Sequence, residues 1–180
     1  MIFNGSISRG VFMCFELSTI TEEEKNEIQL FTSQSGYGGL DINRKLRNGG
    51  ELEPWQSERV NIVNNAIKKS VLTEDVILYR VLGVTNKYKF KRGKDFKDNG
   101  FMEASFNKDI SEVFPERKYL LIIKVPKGTS CLYDTPYNER TYEQGVLFQK
   151  GAILRVDCVK KKLLKNKPHR VFCTFAGYSE

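Results

Sequence analysis

The stretch "YEQGVLFQKG", residues 142–151, reads as the end of a loop, then a strand, a turn and the start of another strand. Val146, Leu147 and Phe148 form a short apolar run, and Lys150-Gly151 supplies the turn. The same grammar covers the second half of the chain. From Asp75 onward the apolar runs are short and rich in β-branched residues: "VILYRVL", "YLLIIKV", "GVLF", "AILRV" and "RVFCTF", separated by turn signals such as "VPKGT" and "KNKP". Upstream the period is helical. In "TITEEEKNEIQLF", Thr21 and Glu24 have the spacing of a capping box, followed by apolar Ile28 and Phe31. In "SERVNIVNNAIKKS", Ser57 can cap a helix whose apolar face holds Val60, Val63 and Ile67, with Ala66 beside them. Between these two lies "SGYGGLDINRKLRNGG", where glycines bracket a short "LDINRKLR" helix. The pattern predicts an α+β fold, helices first and a strand-rich core after.

With 180 residues, no repeat, no low-complexity segment and no long linker, residues 1–180 are expected to form one domain. A hydrophobic content of 40% with 28% charged residues fits a globular protein, and no apolar run has the length of a membrane span. The N-terminal "MIFNGSISRGVFMCFELS" lacks the basic lead, apolar core and cleavage site of a secretory signal, so it reads as mature, cytoplasmic sequence. Cys14, Cys131, Cys158 and Cys173 are too widely separated for a metal knuckle or redox pair and are expected to be buried thiols. The formal charge of +7 favours an anionic partner. In "KYKFKRGKDFK", residues 87–97, Lys89, Lys91, Arg92 and Lys94 alternate with Tyr88, Phe90 and Phe96, the mixture that grips phosphates and stacks bases in single-strand binders. The competing reading is a solvated hairpin whose aromatic residues pack inward, and "KKKLLKNK" at 160–167 reads as a solvated turn. His169 is the only histidine and is read as structural or exposed rather than catalytic. No phosphate loop or dinucleotide fingerprint is present.

Four segments in order, "FTSQSGYGGLDINRKLR", "LYRVLG", "GFMEASFNKDISEVF" and "TYEQGVLFQKGAILRV", resemble the mono-ADP-ribosyltransferases of the arginine-serine-glutamate class, the bacterial exoenzyme and phage transferase family. The resemblance spans roughly residues 30–157. Ile42-Asn43 and Leu46-Arg47 match the family's early helix, and Tyr79-Arg80 its strand with an aromatic-arginine pair. "EASFNKDISEVF" fits the frame of Ser-Thr-Ser, and "EQGVLF" fits Glu-x-Glu before the apolar strand. The resemblance implies two packed, mostly antiparallel sheets behind a helical lobe, NAD as cosubstrate in a cleft between the sheets, and no metal. It also implies transfer of ADP-ribose to a macromolecular acceptor. Arg80 is expected to hold phosphate through its rigid multi-donor fork, as an exposed cleft residue of little weight in the core. Tyr79, Asn43, Gly83 and Ser105 are expected to support NAD, Gly83 by letting backbone approach the dinucleotide and Ser105 by hydrogen bonding.

Two positions depart from the family. Gly145 stands where the catalytic carboxylate belongs, and Glu103 replaces the first serine of Ser-Thr-Ser. In relatives that serine bonds the catalytic glutamate, so positions 103 and 145 are expected to face each other, with the space vacated at Gly145 taken by Glu103. Three accounts stay open: Glu103 substitutes as the acid, Gly145 is an inactivating change, or the chain is a natural pseudoenzyme. Glu143, the first acid of the pair, points to arginine as acceptor because a carboxylate can orient and deprotonate a guanidinium. The preceding "YDTPYNERTY" would form the rim that reads the target, with Tyr137 and Tyr142 as stacking surfaces. The basic charge points instead to a DNA or RNA base, held by Lys89, Lys91 and Arg92. Either acceptor suits an intracellular toxin with an antitoxin or inhibitor protein as partner, or a phage or anti-phage factor. The rival reading is a non-catalytic basic binding module on the same fold.

Overall fold

The computed structural model describes residues 14–33, 38–83, 90–137, 141–162 and 167–179. A short strand, β1 (Phe15–Leu17), pairs antiparallel with β2 (Ser70–Leu72). Between them run α1 (Glu22–Thr32), α2 (Gly39–Asn48) and α3 (Pro54–Lys68). The cap of α1 forms as the sequence predicts. The Glu24 N–H donates to Thr21 Oγ1 at 3.2 Å, and the Thr21 N–H donates to Glu24 Oε2 at 2.8 Å. Thr21→Ala removes half of this box and should cost about 1 kcal/mol in urea unfolding; an unchanged midpoint would show that the cap adds nothing.

The start of α3 differs from expectation. It begins at Pro54, with Glu53 and Gln56 forming the capping box, rather than after Ser57. Proline at the first helical position gives up only an N–H that would lack a helical partner anyway, which permits the earlier start. The predicted apolar face is retained, with Val60, Val63, Ala66 and Ile67 buried. Gly39 opens α2 against the end of α1. A Cβ there would lie 2.6 Å from the Phe31 carbonyl oxygen, so only glycine lets the two helices meet this closely.

The remaining strands are β3 (Val76–Leu82), β4 (Asp95–Lys97), β5 (Phe101–Ser105), β6 (Tyr119–Val125), β7 (Cys131–Tyr133), β8 (Gly145–Lys150), β9 (Ala152–Lys160) and β10 (His169–Tyr178), with a one-turn helix α4 (Ile110–Val113) after β5. Their hydrogen-bonded order is β4-β9-β10-β6-β3-β5-β8-β7. β6 and β10 run parallel, and the other neighbours are antiparallel. β3 meets β6 along its whole length but meets β5 only at Tyr79↔Ser105. The array parts at this single pair into a five-stranded and a three-stranded sheet that pack face to face. Leu78, Leu121, Ile123 and Val171 from the first share a core with Met102, Val146 and Phe148 from the second. Lys150 and Gly151 (φ 81°) carry the chain from β8 in one sheet to β9 in the other, so the turn read in the sequence joins sheets and makes no hairpin.

The helices cover the opposite face of the three-stranded sheet, where Ile28, Phe31, Ile42, Val63 and Ile67 pack with Phe101, Leu132 and Leu147. Side chains alternate along a strand. On β5, Met102 and Ala104 therefore enter the inter-sheet core, while Phe101, Glu103 and Ser105 face the helical layer.

The basic segment takes the inward-packed form. Phe90 and Phe96 lie against the sheet core, their ring centroids 5.3 Å apart, while Lys91, Arg92 and Lys94 remain exposed. Lys89 and Tyr88 lie outside the described residues. Three of the four cysteines are buried, as expected; Cys158 is exposed. A register shift in the β9–β10 pairing between Val156 and Cys158 reverses the alternation there and turns Cys158 outward. No helix among the described residues is long and apolar enough to cross a membrane.

Candidate active site

Where β3 and β5 part, a cleft of about 460 Å³ opens between the helical layer and the strands, within the size range of ligand pockets. Phe31 and Thr32 at the end of α1 line it, as do Leu40, Asn43 and Arg47 on α2, Tyr79, Arg80 and Val81 on β3, and Glu103, Ala104 and Ser105 on β5. Ile110, Phe114, Arg117 and Glu143 also line it. Three guanidiniums and two carboxylates thus share a partly apolar cleft. Tyr79, Arg80, Asn43, Glu103, Ser105 and Glu143, all singled out from the sequence, come together here. Gly83, Tyr137, Tyr142, Lys91 and Arg92 are not among the lining residues.

Arg80 shares its parity on β3 with the buried Leu78 and Leu82, so its side chain enters the gap between the sheets and is only 11% exposed. It is therefore not the exposed cleft arginine expected from the sequence. Nη1 donates to the carbonyl oxygen of Glu103, and Nη2 donates to Asp98 Oδ2 at 2.9 Å. Arg47 meets the same carboxylate from α2, with Nε to Oδ1 at 2.7 Å and Nη2 to Oδ2 at 3.1 Å. Asn43, one helical turn before Arg47, accepts from the Phe101 N–H at 2.7 Å. The Asp98–Phe101 turn is thereby fastened to α2. Asn43 consequently supports the cleft wall through the β5 backbone.

Ser105 is buried and supports the site through the backbone too. Its Oγ donates to the Glu143 carbonyl oxygen and accepts from the Asn107 N–H at 2.8 Å. The Phe106 N–H reaches the Gln144 carbonyl oxygen at 3.1 Å. These bonds fix the short 3₁₀ turn Thr141–Glu143 against the end of β5. Gln144 adopts a left-handed conformation, φ 47°, uncommon for a residue other than glycine, at the step between Glu143 in the cleft wall and the buried Gly145.

The relation of Glu103 to Gly145 differs from the sequence expectation. The β5–β8 register sets Ser105 opposite Gly145 and Glu103 opposite Leu147. Positions 103 and 145 share a face but form a diagonal pair, roughly 7 Å apart in a regular sheet and within reach of a long side chain. The space beside Gly145 is taken by Asp134 rather than by Glu103. A Cβ on Gly145 would lie 2.2 Å from Asp134 Oδ1, and Asp134 is 1% exposed at the end of β7. Its N–H also donates to the Gly145 carbonyl oxygen at 3.0 Å. Any side chain at 145 thus requires the Asp134 carboxylate to turn away.

Gly83 also differs from expectation. The space over it belongs to Arg117, whose Nη1 would lie 2.7 Å from a Cβ there. Tyr137 packs half-buried against the helical core, and burial raises its pKa. Tyr142 is 53% exposed immediately before Glu143. His169 stacks on Tyr119 at 5.4 Å and accepts from the Lys162 N–H at 3.2 Å, outside the cleft. Burial and the nearby Lys162, Lys118 and Lys161 hold its pKa below the ordinary value, in keeping with a structural histidine. Among the described residues, no group of three or more His, Cys, Asp or Glu could hold a metal ion.

Arg47, Asp98, Arg117 and Asp134 were not marked as site residues by the sequence. The four-residue spacing from Asn43 to Arg47 places both on one helix face and signals Arg47. "DNG" at 98–100 reads as an ordinary turn, and nothing local marks Asp98, Arg117 or Asp134.

Comparison with known proteins agrees with this architecture. The family model described as ADP-ribosyltransferase exoenzyme matches residues 13–174. No curated protein matches in sequence. Among solved structures, Plx2a, an ADP-ribosyltransferase toxin from Paenibacillus larvae, is 20% identical with a TM-score of 0.75, covering 88% of each chain. The Clostridium limosum C3 exoenzyme is 19% identical with a TM-score of 0.74, covering 88% of this chain and 87% of that one. C3stau2 from S. aureus, solved with NAD, is 18% identical with a TM-score of 0.73, covering 88% and 89%. At these identities the structures establish a common fold, and the family match spans most of the sequence. The chain belongs to the ADP-ribosyltransferase exoenzyme family, and its reaction is mono-ADP-ribosyl transfer with NAD as cosubstrate.

Proposed function

We propose that the chain, acting as one domain in a cytoplasm, transfers ADP-ribose to a protein, with an arginine side chain as acceptor and Glu103 as the catalytic carboxylate. The observation that carries this reading is that Glu103, Arg80 and Glu143 line one cleft, with Arg80 bonded to the Glu103 backbone. Arg80 takes the pyrophosphate. The nicotinamide–ribose C–N bond breaks, its electron pair leaves with nicotinamide, and positive charge develops at the ribose carbon. The Glu103 carboxylate stabilises that charge in a partly apolar cleft, where a preorganised charge is worth more than in open water. The acceptor guanidinium then forms the new C–N bond, and its proton passes to Glu143.

A protein acceptor is favoured over a nucleic-acid base because Phe90 and Phe96 are partly buried against the core and pack on each other, which leaves less ring face for stacking bases. Tyr142, exposed beside Glu143, is suited to contact the target. Lys91 and Arg92 lie before the edge strand β4, where charge also protects an unpaired strand edge. The test is incubation with labelled NAD and total cell lysate, followed by protease or nuclease. Label released by protease and resistant to nuclease is expected, and neutralising Lys91, Arg92 and Lys94 together should leave its yield within about twofold. Label released by nuclease, or its loss in the triple variant, would give the acceptor role to nucleic acid.

A further inference from the structure

We infer that Asp98 is a positioning residue for NAD: its carboxylate holds the guanidiniums of Arg47 and Arg80 at the separation and angle that receive the pyrophosphate. The inference rests on the reading of Arg80 as the pyrophosphate ligand. Asp98 is 5% exposed, and both of its oxygens are engaged. Oδ1 accepts from Arg47 Nε at 2.7 Å and from the Gly100 N–H at 3.1 Å. Oδ2 accepts from Arg47 Nη2 at 3.1 Å and from Arg80 Nη2 at 2.9 Å. One carboxylate is thus shared by two cations that come from different layers, α2 and β3.

Two guanidiniums this close repel each other, and a buried carboxylate between them removes that cost only while it stays charged and in place. A guanidinium is a rigid fork of five N–H donors, so fixing two of its nitrogens fixes the whole plane. Arg47 is held in this way. Nε and Nη2 face Asp98, Nη2 also donates to the Phe101 carbonyl oxygen at 2.8 Å, and the two N–H groups of Nη1 remain for a ligand. The backbone is built around the arrangement. A Cβ on Gly100 would lie 2.6 Å from Asn43 Oδ1 and 3.2 Å from Arg47 Nε, so the turn that carries Asp98 has closed onto α2. The remaining positive charge of the Arg47–Asp98–Arg80 group faces a cleft that both arginines line. An anionic pyrophosphate is attracted to that net positive charge, and guanidinium N–H groups are suited to its phosphate oxygens.

A shared anchor predicts a particular pattern of loss. Asp98→Asn keeps the size of the side chain but leaves two cations sharing a neutral amide, so they separate. Affinities for NAD and for ADP, measured by calorimetry, should each fall at least tenfold, while affinity for nicotinamide riboside, which lacks the pyrophosphate, should stay within twofold. In steady-state assays the loss should raise KM for NAD and leave kcat near its original value, as for binding equal in ground and transition states. A residue that merely stabilised the fold would affect both ligands alike or neither. Wild-type ADP affinity in Asp98→Asn, with ADP affinity lost in Arg80→Ala, would overturn the inference and keep the pyrophosphate site. Unchanged ADP affinity in Arg80→Ala would instead remove the reading on which the inference rests. Should Asp98→Asn melt below the assay temperature, Asp98→Glu replaces it. The added methylene shifts both forks while keeping the charge, and a severalfold loss of ADP affinity is expected. Wild-type affinity in that variant would overturn the proposal.

Discussion

Glu103→Gln is expected to lower NAD cleavage by about a hundredfold or more while NAD binds as before. The amide has the shape and the hydrogen-bonding reach of the acid but no charge, so what it removes is stabilisation of the oxocarbenium-like state rather than of bound NAD. The backbone of residue 103 is held independently of its side chain. Its carbonyl oxygen accepts from Arg80, and its β5–β8 pairing is to Leu147. The substitution should therefore leave the Arg80 anchor in place, which makes a loss confined to turnover readable. Nicotinamide release and NAD binding, measured on one preparation, check it. A turnover within threefold of the original chain would take Glu103 out of the reaction and leave the carboxylate role to another group.

Arg80→Ala is expected to weaken NAD binding by well over tenfold and, unlike an exposed charge, to lower stability as well. At 11% exposure its side chain lies between the sheets, and truncation leaves buried Asp98 with Arg47 and the Gly100 N–H as its remaining partners. Losing a hydrogen bond to a charged group of this kind costs about 1.5–3 kcal/mol. Urea unfolding and calorimetry with NAD separate the two effects. Unchanged affinity would remove Arg80 from the cosubstrate site, and unchanged stability would show that Arg47 alone satisfies Asp98.

The parts of the fold legible in the sequence were those with local causes. The capping box at Thr21, the apolar face of α3 and the inward packing of Phe90 and Phe96 follow from spacing and side-chain chemistry. The glycine-bracketed helix was likewise visible and became α2. Helix α3 began earlier than read because an N-terminal proline and a Glu53–Gln56 box outweighed Ser57. The site was legible as a set of motifs in order, which brought Arg80, Glu103, Ser105 and Glu143 to one cleft. What it lacked was register. Period-two alternation indicates which residues of a strand share a face but not which residue of the partner stands opposite. The pairing of Gly145 with Ser105 and the placement of Asp134 over Gly145 are consequences of pairing between distant segments. Asp98 was hidden for the same reason, since its two partners lie on α2 and β3.

The most direct test of the account is nicotinamide release from NAD by the purified chain beside its Gly145→Glu variant. If Glu103 is the working acid, the original chain releases nicotinamide. The variant is slower and less stable, because the new side chain starts 2.2 Å from Asp134 Oδ1 and adds a second carboxylate near the first. A chain that is silent as it stands and becomes active with Gly145→Glu would contradict the account and make Gly145 an inactivating change.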